Sequence, residues 1–313
     1  MPGFVAVFRK EMADQFASKR FMILFTLILL AGLSATYTAA QSISADVSSA
    51  NASNTFVFLR LFTVSSGNLP SFVAFVGFLG PLVGLALGFD AINGEYGRGT
   101  LSRVLAQPIF RDSVINGKFA AGVVTIAVML LSISLLLGGL GLRLIGIPPT
   151  GDEIMRLLFW LFIAVVYVAF WMAVSILFSI LFRQTATSAL AAIALWIFFT
   201  FFMGMIAGTV ADAITPANQQ DPQTVIDNAN LQMGLARISP ATLYGETTET
   251  ILTPSVRTLG PVLLSQVVGM VPGPLPLDQS LMVVWPQFVG LITLTLACFA
   301  LSYARFMRQE IRA

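Results

Sequence analysis

Histidine is absent from this chain, and cysteine and charged residues are scarce. Without histidine the chain lacks the commonest general base and the commonest transition-metal ligand. Its one cysteine, Cys298, lies in an apolar run and can form no disulfide within the chain. Charged residues make up 10% of the 313 residues and hydrophobic residues 57%, whereas about a quarter of the residues in soluble proteins are charged. This composition indicates an integral membrane protein, and a net charge of +2 is too small to indicate a nucleic-acid partner.

Long hydrophobic runs, by contrast, are abundant. A helix needs about 20 apolar residues to cross a bilayer, and six runs are long enough. They are Phe21–Ala40, Phe72–Phe89, Phe119–Leu142, Ile154–Phe182, Ala189–Val210 and Leu281–Tyr303. We therefore predict an all-α integral membrane protein with a six-span domain over residues 21–305. A cleavable signal peptide is the alternative for the first run, but five further spans argue against it.

The distribution of basic residues predicts which segments face the cytosol. An even number of spans places both termini on one side of the membrane. With the termini inside, twelve of the seventeen Lys and Arg residues are cytosolic, including all three lysines, and five are outside. We expect a multi-pass protein of the plasma or inner membrane, with both termini and a 306–313 tail in the cytosol.

Residues 1–20 carry an apolar stripe whose members recur every fourth residue: Phe4, Phe8, Met12 and Phe16. This spacing is typical of an amphipathic helix. Its basic residues suit the anionic cytosolic leaflet, so we predict an interfacial helix that turns into the first span. The alternative is a basic flank that only sets the topology.

No predicted span has an acidic or basic residue near its middle. Ion-coupled carriers normally bind the driving ion at such a residue, which disfavours a carrier, although a sodium site made of backbone carbonyls stays open. Gly117-Lys118 is followed by Phe119 and lacks the upstream glycine of a phosphate-binding loop. We expect no catalytic residue, no metal site and no enzymatic activity. A standalone channel or ion-coupled carrier is the alternative of another class.

Three glycines of the second span, Gly80, Gly84 and Gly88, are spaced as GxxxGxxxG. In lipid, small residues four apart let two helix backbones approach closely. We predict that this face packs on another helix, either in the same chain or across a dimer.

The longest external segment is residues 212–280. Its pattern predicts short helices around Pro222–Ala236 and Leu243–Leu252, with the prolines at 240 and 254 as breaks. The run Leu259–Val271 is short for a seventh span and contains a proline, so we expect it to lie on or dip into the outer surface. A loop of this length is usually functional or folded in its own right.

Residues 90–118 form the longest charged stretch, between the second and third spans. Gly97 and Gly99 are expected to end the descending helix, and Thr100 is a plausible N-cap. Residues 101–107 then make about two turns, which Pro108 ends. The apolar face of this short helix consists of Leu101, Val104 and Leu105, with Arg103 elsewhere. A compact helix attached to two spans can transmit force, and the alternative is an ordinary amphipathic loop on the lipid surface.

Two motifs carry a resemblance to a known family. Glu95, Gly99-Thr100-Leu101, Pro108 and Lys118 follow a second span and resemble the ExxxGTL…P…GK pattern of ATP-binding-cassette (ABC) exporter permeases of the second type. The stretch 238–244, ISPATLY, resembles a recurrent segment of the copper-maturation (NosY-like) branch of that family. With six spans and an amphipathic N-terminal helix, the resemblance covers the whole chain.

The resemblance implies a permease that dimerises, with itself or with a related chain, and is driven by two separately encoded cytosolic ATPase subunits. Thr100–Gln107 would be the coupling helix seated in a groove of the ATPase, with Glu95 and Lys118 in the same motif. ATP and magnesium would be bound by the ATPase, and this chain would hold no cofactor. Either the permease exports a cargo, or the same architecture relays force through region 212–280 to an external protein.

Overall fold

The computed structural model describes residues 2–48, 56–66, 69–99, 110–218, 221–260 and 273–309. Within these ranges the chain is helical, and its only extended pairing is an isolated bridge between Ser66 and Leu69. The helices, in chain order, are α1 (Pro2–Phe16), α2 (Lys19–Ser48), α3 (Val57–Thr63), α4 (Phe72–Gly88), α5 (Asn93–Gly97), α6 (Arg111–Ile145), α7 (Gly151–Leu181), α8 (Thr185–Ile197), α9 (Met203–Ile214), α10 (Pro222–Ala236), α11 (Pro240–Leu252) and α12 (Leu277–Arg308). A π-helical turn, Phe198–Phe202, joins α8 to α9.

Six stretches of helix are long and apolar enough to cross a membrane. They are Lys19–Ser44, Phe72–Gly97, Arg111–Ile145, Gly151–Leu181, Thr185–Ile214 and Leu277–Arg308. Each overlaps one of the predicted runs, so the prediction of an all-α, six-span membrane protein is confirmed. The run predicted to lie on the outer surface, Leu259–Val271, falls almost entirely outside the described residues.

The second span ends within one residue of its predicted end, Phe89. Helix α4 stops at Gly88, and a turn over residues 89–92 separates it from α5. Helix α5 ends at Gly97, one of the two glycines that were expected to end the descending helix. Gly99 has a φ of 66°, the left-handed conformation in which glycine commonly follows a helix.

The chain divides into two units, Met1–Ile193 with Ile292–Ala313, and Ala194–Leu291. In the first unit, α4 packs on α7 through its three glycines. A Cβ atom added at Gly80 would lie 2.9 Å from Val168 Cγ2, and one at Gly88 would lie 2.7 Å from the Met172 carbonyl oxygen. A Cβ atom added at Gly84 would lie closer still to its neighbour, the Val168 carbonyl oxygen. The glycine face is therefore buried within the chain and leaves no room there for a second subunit.

Large side chains of α7 fill the centre of the same unit. Trp160, Tyr167 and Trp171 are almost fully buried. The Trp160 ring meets the Phe72 ring at a centroid distance of 5.8 Å, and the Tyr167 hydroxyl donates to the Gly77 carbonyl at 3.1 Å. Helix α7 is thus the central helix around which the first unit packs.

A buried carboxylate links α3 to the start of α7. Glu153 and Thr150 form a capping box at the N-terminus of α7. The other oxygen of Glu153, Oε1, accepts from the backbone N–H groups of Phe58 at 2.9 Å and Leu59 at 3.4 Å. One side chain therefore caps two helices, which holds α3 against the start of α7.

The second unit contains the π-helical turn and helices α9 to α11. Helix α10 coincides with the predicted Pro222–Ala236. Helix α11 begins three residues before its predicted start because Pro240 occupies the first turn, where a missing N–H costs nothing. The buried Asn228 side chain donates to Asp212 Oδ1 at 2.9 Å and to the Thr215 carbonyl at 2.8 Å, which ties α10 to α9.

Candidate functional site

The charged segment begins and ends beside a buried ion cluster formed by Lys118, Glu11 and Glu95. Lys118 Nζ lies 2.8 Å from Glu11 Oε1 and 2.8 Å from Glu95 Oε1. Lys118 is 6% exposed and Glu95 7%. Since a buried charge is tolerated only when it is paired, these three side chains hold α1, α5 and α6 in one arrangement.

Lys10 adds a second cation at the solvent side of the cluster. Its Nζ lies 3.1 Å from Glu11 Oε1 and 3.5 Å from both Glu95 Oε1 and Asp14 Oδ2. The Lys10 side chain is 56% exposed, so each of these pairs contributes little by itself. Together with Lys118 it nearly balances the three carboxylates.

The cluster shifts the protonation of the two groups on α1. Burial alone would raise the pKa of Glu11, but the adjacent Lys118 and Lys10 outweigh it and hold that pKa below its usual value. Partial burial works to lower the pKa of Lys10, but Glu11, Glu95 and Asp14 outweigh it and raise that pKa. Both groups are therefore kept charged across the neutral range.

Close packing and a polar contact fix α1 against α6. A Cβ atom at Gly117 would lie 2.8 Å from Val7 Cγ1, so this crossing requires glycine. Further along the helices, the Thr125 hydroxyl donates to Gln15 Oε1 at 2.7 Å. Val7, Glu11 and Gln15 are spaced four apart and form the face of α1 that meets α6.

The first flank of the charged segment is fastened to α2 and α7. Arg20 Nη1 lies 2.7 Å from Asp90 Oδ2, and its guanidinium lies 4.8 Å from the centre of the Phe89 ring. The backbone N–H groups of Ile92 and Asn93 donate to Ser179 Oγ at 2.9 and 3.1 Å. The turn that leads into α5 therefore cannot move without α2 and α7.

The second flank is fastened to the end of α12. Arg111 Nη2 donates to the Gln309 carbonyl at 3.0 Å, and the Arg111 guanidinium lies 5.8 Å from the centre of the Phe306 ring. Both ends of the predicted coupling helix are thus connected to spans. The interior of that helix, with Thr100, Leu101, Arg103, Val104, Leu105 and Pro108, lies outside the described residues.

A cavity of about 310 Å³ adjoins the ion cluster. Lys10, Glu11, Glu95 and Lys118 line it together with both members of the Arg20–Asp90 pair. The cavity therefore lies between α1 and the two ends of the charged segment, where a change in the position of α1 would be felt by both.

The sequence motif grouped Glu95 with Lys118, but it did not predict the contacts of Glu11 and Gln15 with α6. The stripe of phenylalanines drew attention to the neighbouring face of α1. The sequence contained a partial signal for Glu11. A lysine at the start of an apolar span, such as Lys118, needs a carboxylate partner, and Glu11 is one helical turn from the apolar Val7. Such a partner cannot be chosen from sequence alone when it is 107 positions away.

Six apolar helices without a strand in the described ranges define a multi-pass α-helical membrane protein. The sequence profile of a family described as ABC-2 family transporter protein matches residues 5–311, nearly the whole chain. The chain therefore belongs to this family and is a membrane permease component of an ABC transporter, a class that works with ABC ATPase subunits. Among curated proteins, no match to the chain was found.

Proposed function

We propose that the chain is the pathway-forming subunit of an ATP-driven exporter and that residues 100–107 dock on a cytosolic ATPase. The observation that carries the proposal is that both flanks of this segment are attached to membrane helices. Glu95 on the first flank pairs with Lys118 of α6, and Arg111 on the second flank donates to the Gln309 carbonyl at the end of α12. A push on a segment held in this way is passed to α1, α6, α7 and α12. The family membership supplies the energy source, since ABC permeases work with ATPase subunits.

The proposed cycle requires two ATPase subunits and two permease chains. ATP and magnesium bind to the ATPases, which close on ATP and move the paired coupling helices. Closure of the ATPases favours one conformational state of the permease over the other. The equilibrium between the two states can shift only as far as ATP binds one state more tightly than the other. The count of basic residues supports cytosolic termini and a cytosolic coupling segment in the plasma or inner membrane.

A matched pair of substitutions tests the docking helix. Leu105→Asp places a charge on its predicted apolar face, and Ser102→Asp places the same charge on another face. We expect Leu105→Asp to abolish co-purification of the ATPase and to reduce permease-stimulated ATP hydrolysis at least ten-fold, while Ser102→Asp retains both. Equal behaviour of the two variants, or transport that persists without any ATPase, would reject the proposal.

A second candidate function is a mechanical relay to an external protein, as in the NosY-like branch. Helix α10, which Asn228 ties to α9, and the folded helix α11 favour it, because a relay needs an ordered external element. Deleting residues 218–236 should then release a stable external partner while ATPase binding is kept. Export of a cargo by vesicles that contain no such partner would reject the relay.

A further inference from the structure

The second unit contains a cavity of about 530 Å³ that is separate from the ion cluster. Its lining combines four apolar side chains with polar ones. The apolar residues are Leu243, Leu259, Val283 and Pro286. The polar groups used below are Arg237, Arg257 and Gln287. This volume falls within the range of small-molecule sites, which are mostly apolar with a few directed polar groups.

One polar group of the lining is buried without a partner. Gln287 is 4% exposed, and its Nε2 donates to Glu246 Oε2 at 2.9 Å. That bond fixes the amide orientation, because the reverse orientation would set two acceptor oxygens against each other. Gln287 Oε1 then has no hydrogen-bond donor among the described residues. A buried acceptor without a donor is costly, so the geometry calls for an O–H or N–H group in the cavity.

The cavity also carries one uncompensated positive charge. Arg237 is neutralised by Glu246, whose two oxygens accept from Arg237 Nε at 3.1 and 2.9 Å. Arg257, by contrast, donates to the backbone carbonyl of Gly273. Within the described ranges no carboxylate forms an ion pair with it. An anionic group in the cavity would form a charge-assisted hydrogen bond with Arg257 and balance its charge.

We propose that this cavity binds a single-chain anionic amphiphile, of which a lysophospholipid is the simplest example. The phosphate would pair with Arg257, the free glycerol hydroxyl would donate to Gln287 Oε1, and part of the acyl chain would lie on Leu243, Val283 and Pro286. The inference is independent of ATPase docking, because it concerns equilibrium binding to the permease alone.

The test measures binding of tritiated oleoyl lysophosphatidate to the full chain in nanodiscs, with empty nanodiscs as the background. We expect saturable binding that Arg257→Gln weakens ten-fold or more. Val283→Trp, which fills the cavity, should weaken it as strongly. Arg143→Gln removes the same charge from the first unit and should change affinity less than two-fold. Equal binding by all four proteins, or signal that never saturates, would overturn the proposal.

Ligand analogues test the individual contacts. The 2-O-methyl ether of the lipid lacks the donor and should bind several-fold more weakly to the wild type, whereas Gln287→Leu should bind both lipids equally. Oleate and inorganic phosphate should compete poorly, since each supplies only one part of the ligand. Displacement by inorganic phosphate as effective as by the lipid would make this a phosphate site and overturn the assignment. Unchanged thermal midpoints would show that the variants are folded.

Discussion

At the scale of single residues, Lys118 has the most demanding environment in the candidate site. It is nearly inaccessible and lies 2.8 Å from each of two carboxylates on different helices. A buried ion pair often adds little net stability compared with apolar residues of the same volume, but removing one partner leaves the other charge buried and unpaired. Lys118 therefore controls whether α1 and α5 stay on α6.

Replacing Lys118 tests this dependence. Lys118→Met leaves the two carboxylates without their buried cation and should destabilise the first unit by about 3–5 kcal/mol. Lys10→Met removes an exposed cation from the same cluster and should cost less than about 1 kcal/mol. Thermal unfolding in detergent measures both. A partial recovery when Glu95→Gln is added to Lys118→Met would confirm that the unpaired charge is the cause.

The pKa shift of Glu11 predicts loss of stability in acid. Its pKa is lower in the folded chain than the usual value of 4.5, so the unfolded chain takes up the proton first. The contribution of Glu11 is complete above pH 4.5 and is lost as the pH falls through the lower, folded pKa. The raised pKa of Lys10 has the opposite pH dependence. The stability that Lys10 contributes is present at lower pH and is lost only as the pH rises above 10.5.

Unfolding midpoints measured from pH 3 to 7, a range chosen about the usual carboxyl pKa, check the prediction for Glu11. We expect Glu11→Gln to have a lower midpoint near pH 7 and a smaller fall in acid than the wild type. Asp14→Asn alters an exposed carboxylate of the same helix and should keep the wild-type slope. An undiminished acid slope in Glu11→Gln would show that other carboxylates cause it.

At the scale of helices, the α4–α7 crossing depends on backbone contact at Gly84. Gly84→Ala forces a methyl group against the Val168 carbonyl and should destabilise the first unit by about 1–3 kcal/mol. Gly139→Ala, in a helix with nothing within 4 Å of the added atom, should be neutral or slightly stabilising because alanine favours helix. Thermal midpoints of the two variants should differ clearly, and a neutral Gly84→Ala would contradict the packing.

The helices were the most predictable part of the fold. Apolar runs of membrane length fix the number of spans, since lipid leaves the backbone few alternatives to a helix. Pro222 and Asp221 mark the start of α10, as an N1 proline and an N-cap do. The end of α4 was predictable within one residue, because its apolar run stops at Phe89, just before Asp90. The separate turn at residues 89–92 was not predicted.

At the scale of the whole molecule, the contacts between distant elements could not be predicted from the sequence. The GxxxGxxxG face of α4 predicted a close helix neighbour, but only the structure identifies α7. The spacing of Thr150 and Glu153 in the sequence is typical of a capping box. The second role of Glu153, accepting from the backbone of α3, depends on a contact 95 positions away. The candidate site is assembled from such distant pairs, so its motif was predictable and its ion cluster was not.

The proposed orientation of the whole chain can be tested by labelling introduced cysteines. In a Cys298→Ala background, Gly151→Cys lies at the first residue of α7, next to the turn that follows α6, and Gln184→Cys lies in the turn between α7 and α8. Both positions are exposed, and these turns lie at opposite ends of α7. We expect a membrane-impermeant maleimide added to intact cells to label Gly151→Cys and to reach Gln184→Cys only after permeabilisation, because basic residues stay inside. The reverse pattern would place residues 100–107 outside the cell, away from any ATPase, and would remove the basis for coupling.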